Sequence, residues 1–203
     1  MPNQVTTREM AVATFREVGG TLRMSEALQH GVSRDTLYSL ADDGTLERLS
    51  RGVYRLAELD PVANPDLVTV AERVPGGVIC LISALAFHRL TTQIPHLVWV
   101  AIRRGGWEPR IDWPPIRVME FGERAYETGI ETHQLDGVPV RIYSPEKTLA
   151  DHFKYRNKVG FDIALEALRL YVERGHPKVE ELLAMARICR VERVMTPYLE
   201  ALL

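Results

Sequence analysis

Residues 31–56 read GVSRDTLYSLADDGTLERLSRGVYRL, and the parsing of this stretch decides the N-terminal architecture. Ser33 is a strong helix N-cap. Leu37, Leu40 and Ala41 follow at i, i+3, i+4 spacing, so one apolar stripe docks inward while Arg34, Thr36 and Ser39 stay outside. Asp42-Asp43-Gly44 stops the helix, and the run 46–56 turns at Ser50-Arg51-Gly52, which predicts two short strands in a hairpin. A short helix followed by a basic hairpin is the pattern of a winged helix-turn-helix.

Upstream, Thr6 and Glu9 form a capping box, and Val5 and Met10 occupy the positions of a hydrophobic staple, so a first helix starts here with Ala11, Phe15 and Val18 facing inward. Gly19-Gly20 ends it, 21–23 adds a short strand, and 24–30 makes a second helix. Three helices and a hairpin in 60 residues bury little apolar surface, which favours a second domain, with Pro61, Asn64 and Pro65 as connector. The expected division is 1–60 and 66–203. Downstream, 67–74 is apolar, 78–90 predicts a helix, and 97–102, 117–121, 129–135 and 138–143 read as strands, the last two joined by the tight-turn dipeptide Asp136-Gly137. Ser144, with Pro145 behind it, caps a helix through 147–155, and helices over 161–174 and 178–188 follow. The fold class expected is α+β: a winged helix-turn-helix, then a mixed α/β domain.

Charge complicates a nucleic-acid reading. The whole chain carries a formal net charge of -2, and residues 1–60 hold seven arginines and no lysine against nine acids. Binding must rest on where the arginines point, and Arg34, Arg48, Arg51 and Arg55 all fall in the proposed helix and hairpin. The candidate DNA-contacting set is Ser33, Arg34, Thr36, Tyr38 and Ser39 on the helix with Arg48, Arg51, Tyr54 and Arg55 on the hairpin. A solvated structural face competes with that reading for the helix, and a half-buried strand aromatic for Tyr54. A second basic cluster is Arg141, Lys147, Lys154, Arg156 and Lys158, with Lys147, Asp151 and Lys154 able to share one helix face. It can extend a DNA footprint, contact a partner, or be a solvated face with an ion pair.

Other classes find little support. Cys80 and Cys189 are isolated in apolar surroundings, which fits a reducing cytoplasm and no disulfide framework. The six histidines show no metal-ligand spacing, Ser83 and His88 read as core polar groups, and no phosphate-loop, dinucleotide or nucleophile-elbow motif occurs, so neither an enzyme nor a metal or cofactor is expected. The longest apolar stretch, 76–87, is too short to span a bilayer.

Two stretches, GTLERLSRGVYRL at 44–56 and RIYSPEKTLADHFKYRNKVGFDIALEALRLYV at 141–172, resemble the AbiEi group of antitoxins from type IV toxin-antitoxin systems. The resemblance implies an N-terminal winged helix-turn-helix that represses its own operon at inverted repeats in double-stranded promoter DNA. It also implies a C-terminal domain that counteracts, directly or indirectly, a nucleotidyltransferase-like toxin. A cytoplasmic monomer or homodimer with no membrane partner is expected. The competing reading, from the acid excess in 1–60, is a protein-interaction module whose winged helix does not bind DNA.

Overall fold

The chain is described here as a computed structural model over residues 6–58 and 64–203, and it is a mixed α+β protein in two compact units. The first unit takes Met1–Glu72 together with Gln134–Pro139, and the second takes Arg73–His133 and Val140–Leu203. The first compact unit runs on past the connector expected at 60–66. Residues 65–72 group with the first unit because the Glu72 carboxylate and carbonyl both accept from the Arg23 guanidinium. Residues 134–139 do so because Asp136 accepts from Arg55 at 3.2 Å and the Gly137 backbone lies against Gly19, where a Cβ on Gly137 would stand 2.8 Å from the Gly19 carbonyl oxygen.

In the first unit the elements are α1 (Thr7–Glu17), β1 (Thr21–Arg23), α2 (Met24–Gln29), α3 (Arg34–Asp42), β2 (Leu46–Ser50), β3 (Val53–Leu56) and α4 (Pro65–Arg73), whose last residue passes into the second unit. Thr6 Oγ1 accepts the Glu9 amide at 3.2 Å and Glu9 accepts the Thr6 amide at 2.7 Å, so the capping box forms and these bonds hold the Glu9 carboxyl below its usual range. The staple partner Val5 and the connector residue Pro61 lie outside the described residues. Ser33 Oγ accepts the Thr36 amide at 3.1 Å and starts α3 where expected. Phe15, Leu37, Leu40, Leu46, Tyr54 and Leu56 are buried together as the core of this unit. The sheet order is β1-β3-β2, antiparallel throughout, with Leu22 opposite Tyr54 and Glu47 opposite Arg55.

The second unit holds β4 (Val78–Ile79), α5 (Leu81–Phe87), β5 (Val98–Arg103), β6 (Ile116–Phe121), α6 (Glu123–Glu127), β7 (Ile130–Leu135) and β8 (Val138–Tyr143), the tip of that last hairpin belonging to the first unit. It closes with α7 (Pro145–Val159), α8 (Phe161–Glu173), α9 (Val179–Cys189) and α10 (Glu192–Glu200). The sheet runs β6-β5-β4-β8-β7, with β4 antiparallel to β5 and parallel to β8. The helix expected over 78–90 is a correction: Val78 and Ile79 form the central strand and the helix starts only at Leu81. A strand buried on both faces shows an unbroken apolar run, which periodicity cannot separate from a buried helix. Asp136 and Gly137 both have positive φ, 50° and 77°, as the tight β7–β8 turn requires. Helices α6 and α10, the latter with Pro197 inside it, were not expected from the sequence. Among the described residues no helix is long and apolar enough to cross a membrane.

Candidate functional site

The exposed surface of α3 carries Arg34, Tyr38 and Ser39, with Ser33 at its start and Thr36 half-buried beside it. Three of these polar groups are already engaged. Ser33 Oγ lies 2.8 Å from Thr36 Oγ1 in the cap, and Ser39 Oγ accepts from Arg8 of α1 at 3.0 Å. Arg8 also pairs with Asp43, so it belongs to this surface although sequence reasoning passed it over; its 31-residue separation from Ser39 left no signal. Asp35, Asp42 and Asp43 stand around Tyr38 and Ser39 and make the face mixed in charge rather than basic.

On the hairpin, Arg48 and Arg51 are exposed, Arg51 in the turn after a register shift between Arg48 and Ser50. Tyr54 and Arg55 are not part of that surface, which corrects the expectation for both. Tyr54 is 1% exposed in the core, and burial raises its phenol pKa. Arg55 is 2% exposed and ion-paired to Glu47 at 2.6 Å and Asp136 at 3.2 Å. The reason is that both faces of β3 are covered: Tyr54 and Leu56 face the core, and Glu47 and Asp136 close over Arg55 on the other side, so alternation along the strand no longer separates inside from outside.

The second basic cluster is not one surface. Lys147 is fully buried, with Nζ 2.5 Å from Asp151 Oδ2 and over the rings of Tyr143 (4.1 Å) and Phe121 (4.8 Å). Burial raises the Asp151 pKa, and Lys147 opposes that shift. The Cys189 thiol donates to Asp151 Oδ1 at 3.2 Å, and burial pushes that thiol well above its usual range. The rest of SPEKTLAD is spent internally as well: Ser144 accepts the Lys147 amide at 3.2 Å, Glu146 accepts from Tyr171 at 2.7 Å, and Thr148 donates to the Tyr143 carbonyl at 3.2 Å. The solvated-face reading fails for Lys147 and Asp151, although their i, i+4 pair forms. Arg141 donates to the Gly76 carbonyl at 3.1 Å and Arg156 to the Phe153 carbonyl at 2.7 Å, both half-buried. Only Lys154 and Lys158 of the five are exposed. Lys154 instead joins Arg104, Arg124, Arg187 and Arg190 around a groove, a gathering that the sequence separation of these residues conceals.

Ser83 and His88 are polar groups bonded to the backbone of β5 and β8: Ser83 Oγ accepts the Trp99 amide at 3.0 Å and His88 Nε2 lies 2.7 Å from the Tyr143 carbonyl. His152, also fully buried, has its pKa lowered to about 4 by burial, with Nδ1 3.1 Å from the Thr148 carbonyl. No group of three or more His, Cys, Asp or Glu among the described residues could hold a metal ion.

Residues 9–57 match the family model described as transcriptional regulator, AbiEi antitoxin. The match runs from α1 to the end of β3; it contains the first of the two stretches on which the resemblance is read and ends before the second. No curated protein matches the chain. A solved structure of similar fold is the crystal structure of the RV2827C protein from Mycobacterium tuberculosis, 12% identical, with a TM-score of 0.53 over 97% of this chain and 82% of that one. At that identity the likeness concerns the mixed α+β fold alone.

Proposed function

We propose that the first unit is a winged helix-turn-helix, with α3 as recognition helix and the β2–β3 hairpin as wing, and that it binds the duplex DNA of its own promoter as an autorepressor. The observation that carries this reading is the coincidence of the AbiEi match with a segment that keeps Arg34, Arg48 and Arg51 exposed on its third helix and hairpin. The working contacts are then Arg34 and Tyr38 on the helix and Arg48 and Arg51 on the wing, with Arg8 beside them; Tyr54 and Arg55 support the fold. As an antitoxin, the chain would counteract a nucleotidyltransferase-like toxin through its C-terminal part.

A gel shift with the upstream region at low salt tests this. The wild-type chain binds at inverted repeats, and Arg34→Ala with Arg51→Ala weakens binding by roughly thirtyfold or more, since each arginine contact is worth about 1–3 kcal/mol. A double variant that binds like wild type refutes the residue assignment. Wild-type protein that binds no upstream fragment refutes repression. That last result favours the second reading, a protein-interaction module, for which Asp35, Asp42 and Asp43 around Tyr38 are the specific support.

A further inference from the structure

The second unit contains a groove of about 510 Å³ whose charge the preceding reading leaves unused. Its cations arrive from separate elements: Arg104 follows β5, Arg124 lies in α6, Lys154 in α7, and Arg187 and Arg190 at the end of α9. The groove's carboxylate, Glu123, is paired with Arg103 at 3.1 Å, and Arg187 is steadied by Glu192 at 2.9 Å. Arg104, Arg124, Lys154 and Arg190 enter none of the ion pairs formed among the described residues. Converging like charges repel one another, and a concave wall of one sign concentrates counter-ions in front of it.

A separate observation concerns the backbone. Arg190 caps α9 in the left-handed region at φ 62°, a position that glycine occupies without strain. An arginine is held there against a conformational cost of order 1 kcal/mol or more, and its side chain lines the groove.

We propose that this groove binds the polyphosphate group of a small phosphorylated ligand, either a nucleoside triphosphate or inorganic polyphosphate. Planar guanidinium forks match phosphate oxygens in pairs, and Lys154 adds a point charge. The volume lies in the range of small-molecule sites, and Gly122 and Ala125 keep the wall low. A duplex backbone offers its charges spaced along a line, whereas these cations close on one concavity. The site is independent of DNA reading by the first unit.

The test is calorimetric titration of the full chain, at low salt, with ATP, inorganic tripolyphosphate and a non-operator DNA duplex. At least one polyphosphate binds more tightly than about 1 mM. Arg124→Ala with Lys154→Ala weakens it by about tenfold or more, as loss of charge-assisted hydrogen bonds requires, while the gel shift stays unchanged. ATP binding alone makes the nucleotide the ligand, and equal binding makes it the phosphate chain. Should the double variant fold poorly by thermal melt, the exposed Lys154→Gln carries the same test. The proposal is overturned if neither polyphosphate binds, if the variants bind as wild type does, or if only the duplex binds and depends on these residues.

Discussion

Arg51 and Lys147 are both cations inside short, distinctive motifs, and their surroundings are opposite. Arg51 stands in solvent at a hairpin turn, in a unit whose core is built from about a dozen apolar side chains. Lys147 is enclosed by two aromatic rings and a carboxylate, in a unit that buries Glu146, Thr148, Asp151 and His152 on the same helix. Arg51 is therefore left in solvent, while the polar residues of the second stretch are consumed in holding α7 to the sheet and to α8 and α9. The more distinctive stretch of sequence is the structural one. Buried polar residues tolerate few replacements, because each must meet a particular partner once water is excluded.

The largest expected effect breaks this comparison if it fails. Lys147→Met leaves Asp151 buried without its cation and lowers the unfolding free energy by about 3–5 kcal/mol in urea titration, whereas Lys147→Met with Asp151→Leu recovers most of the loss. Losses that simply add would mean that the pair is not the unit of stability. Next comes acid. His152 is held neutral with a pKa of about 4, against an unperturbed value near 6.5, so the unfolded chain binds the additional proton in that window. Stability is full above pH 6.5 and falls by about 3 kcal/mol as pH drops through 4. His152→Phe flattens that segment of the stability–pH curve, and the difference between variant and wild type isolates the histidine from carboxylates titrating nearby; parallel curves would count against its burial. The smallest effect sharpens the contrast within the first unit. Arg55→Ala costs about 1.5–3 kcal/mol through its lost ion pairs. Arg51→Ala changes stability by about 0.5 kcal/mol or less. A thermal melt in which the two variants are indistinguishable would remove the division between supporting and exposed arginines.

Much of the first unit is legible from local signals. Thr6, Ser33, the Asp42-Asp43-Gly44 stop and the turn at Arg51 each declare themselves within a few residues, because caps and turns satisfy backbone groups with side chains close in sequence. The site was legible only in part: Arg34, Tyr38, Arg48 and Arg51 lie outside as the pattern says, and Tyr54 and Arg55 do not. Their burial depends on the helices packed over Tyr54 and on Asp136, 81 residues from Arg55. In the second unit the strand at Val78–Ile79 was hidden for a related reason, its neighbours β5 and β8 being distant in sequence.

By itself, then, the sequence of this chain determined where its capped helices α1, α3 and α7 begin, where its hairpins turn, the α+β class and the resemblance of residues 44–56 to AbiEi antitoxins, since all of these are written in spacings of a few residues. Only the tertiary structure decided which cations face water. Charge on a side chain is a local property, but its exposure is set by what packs over it, and those partners come from anywhere in the chain.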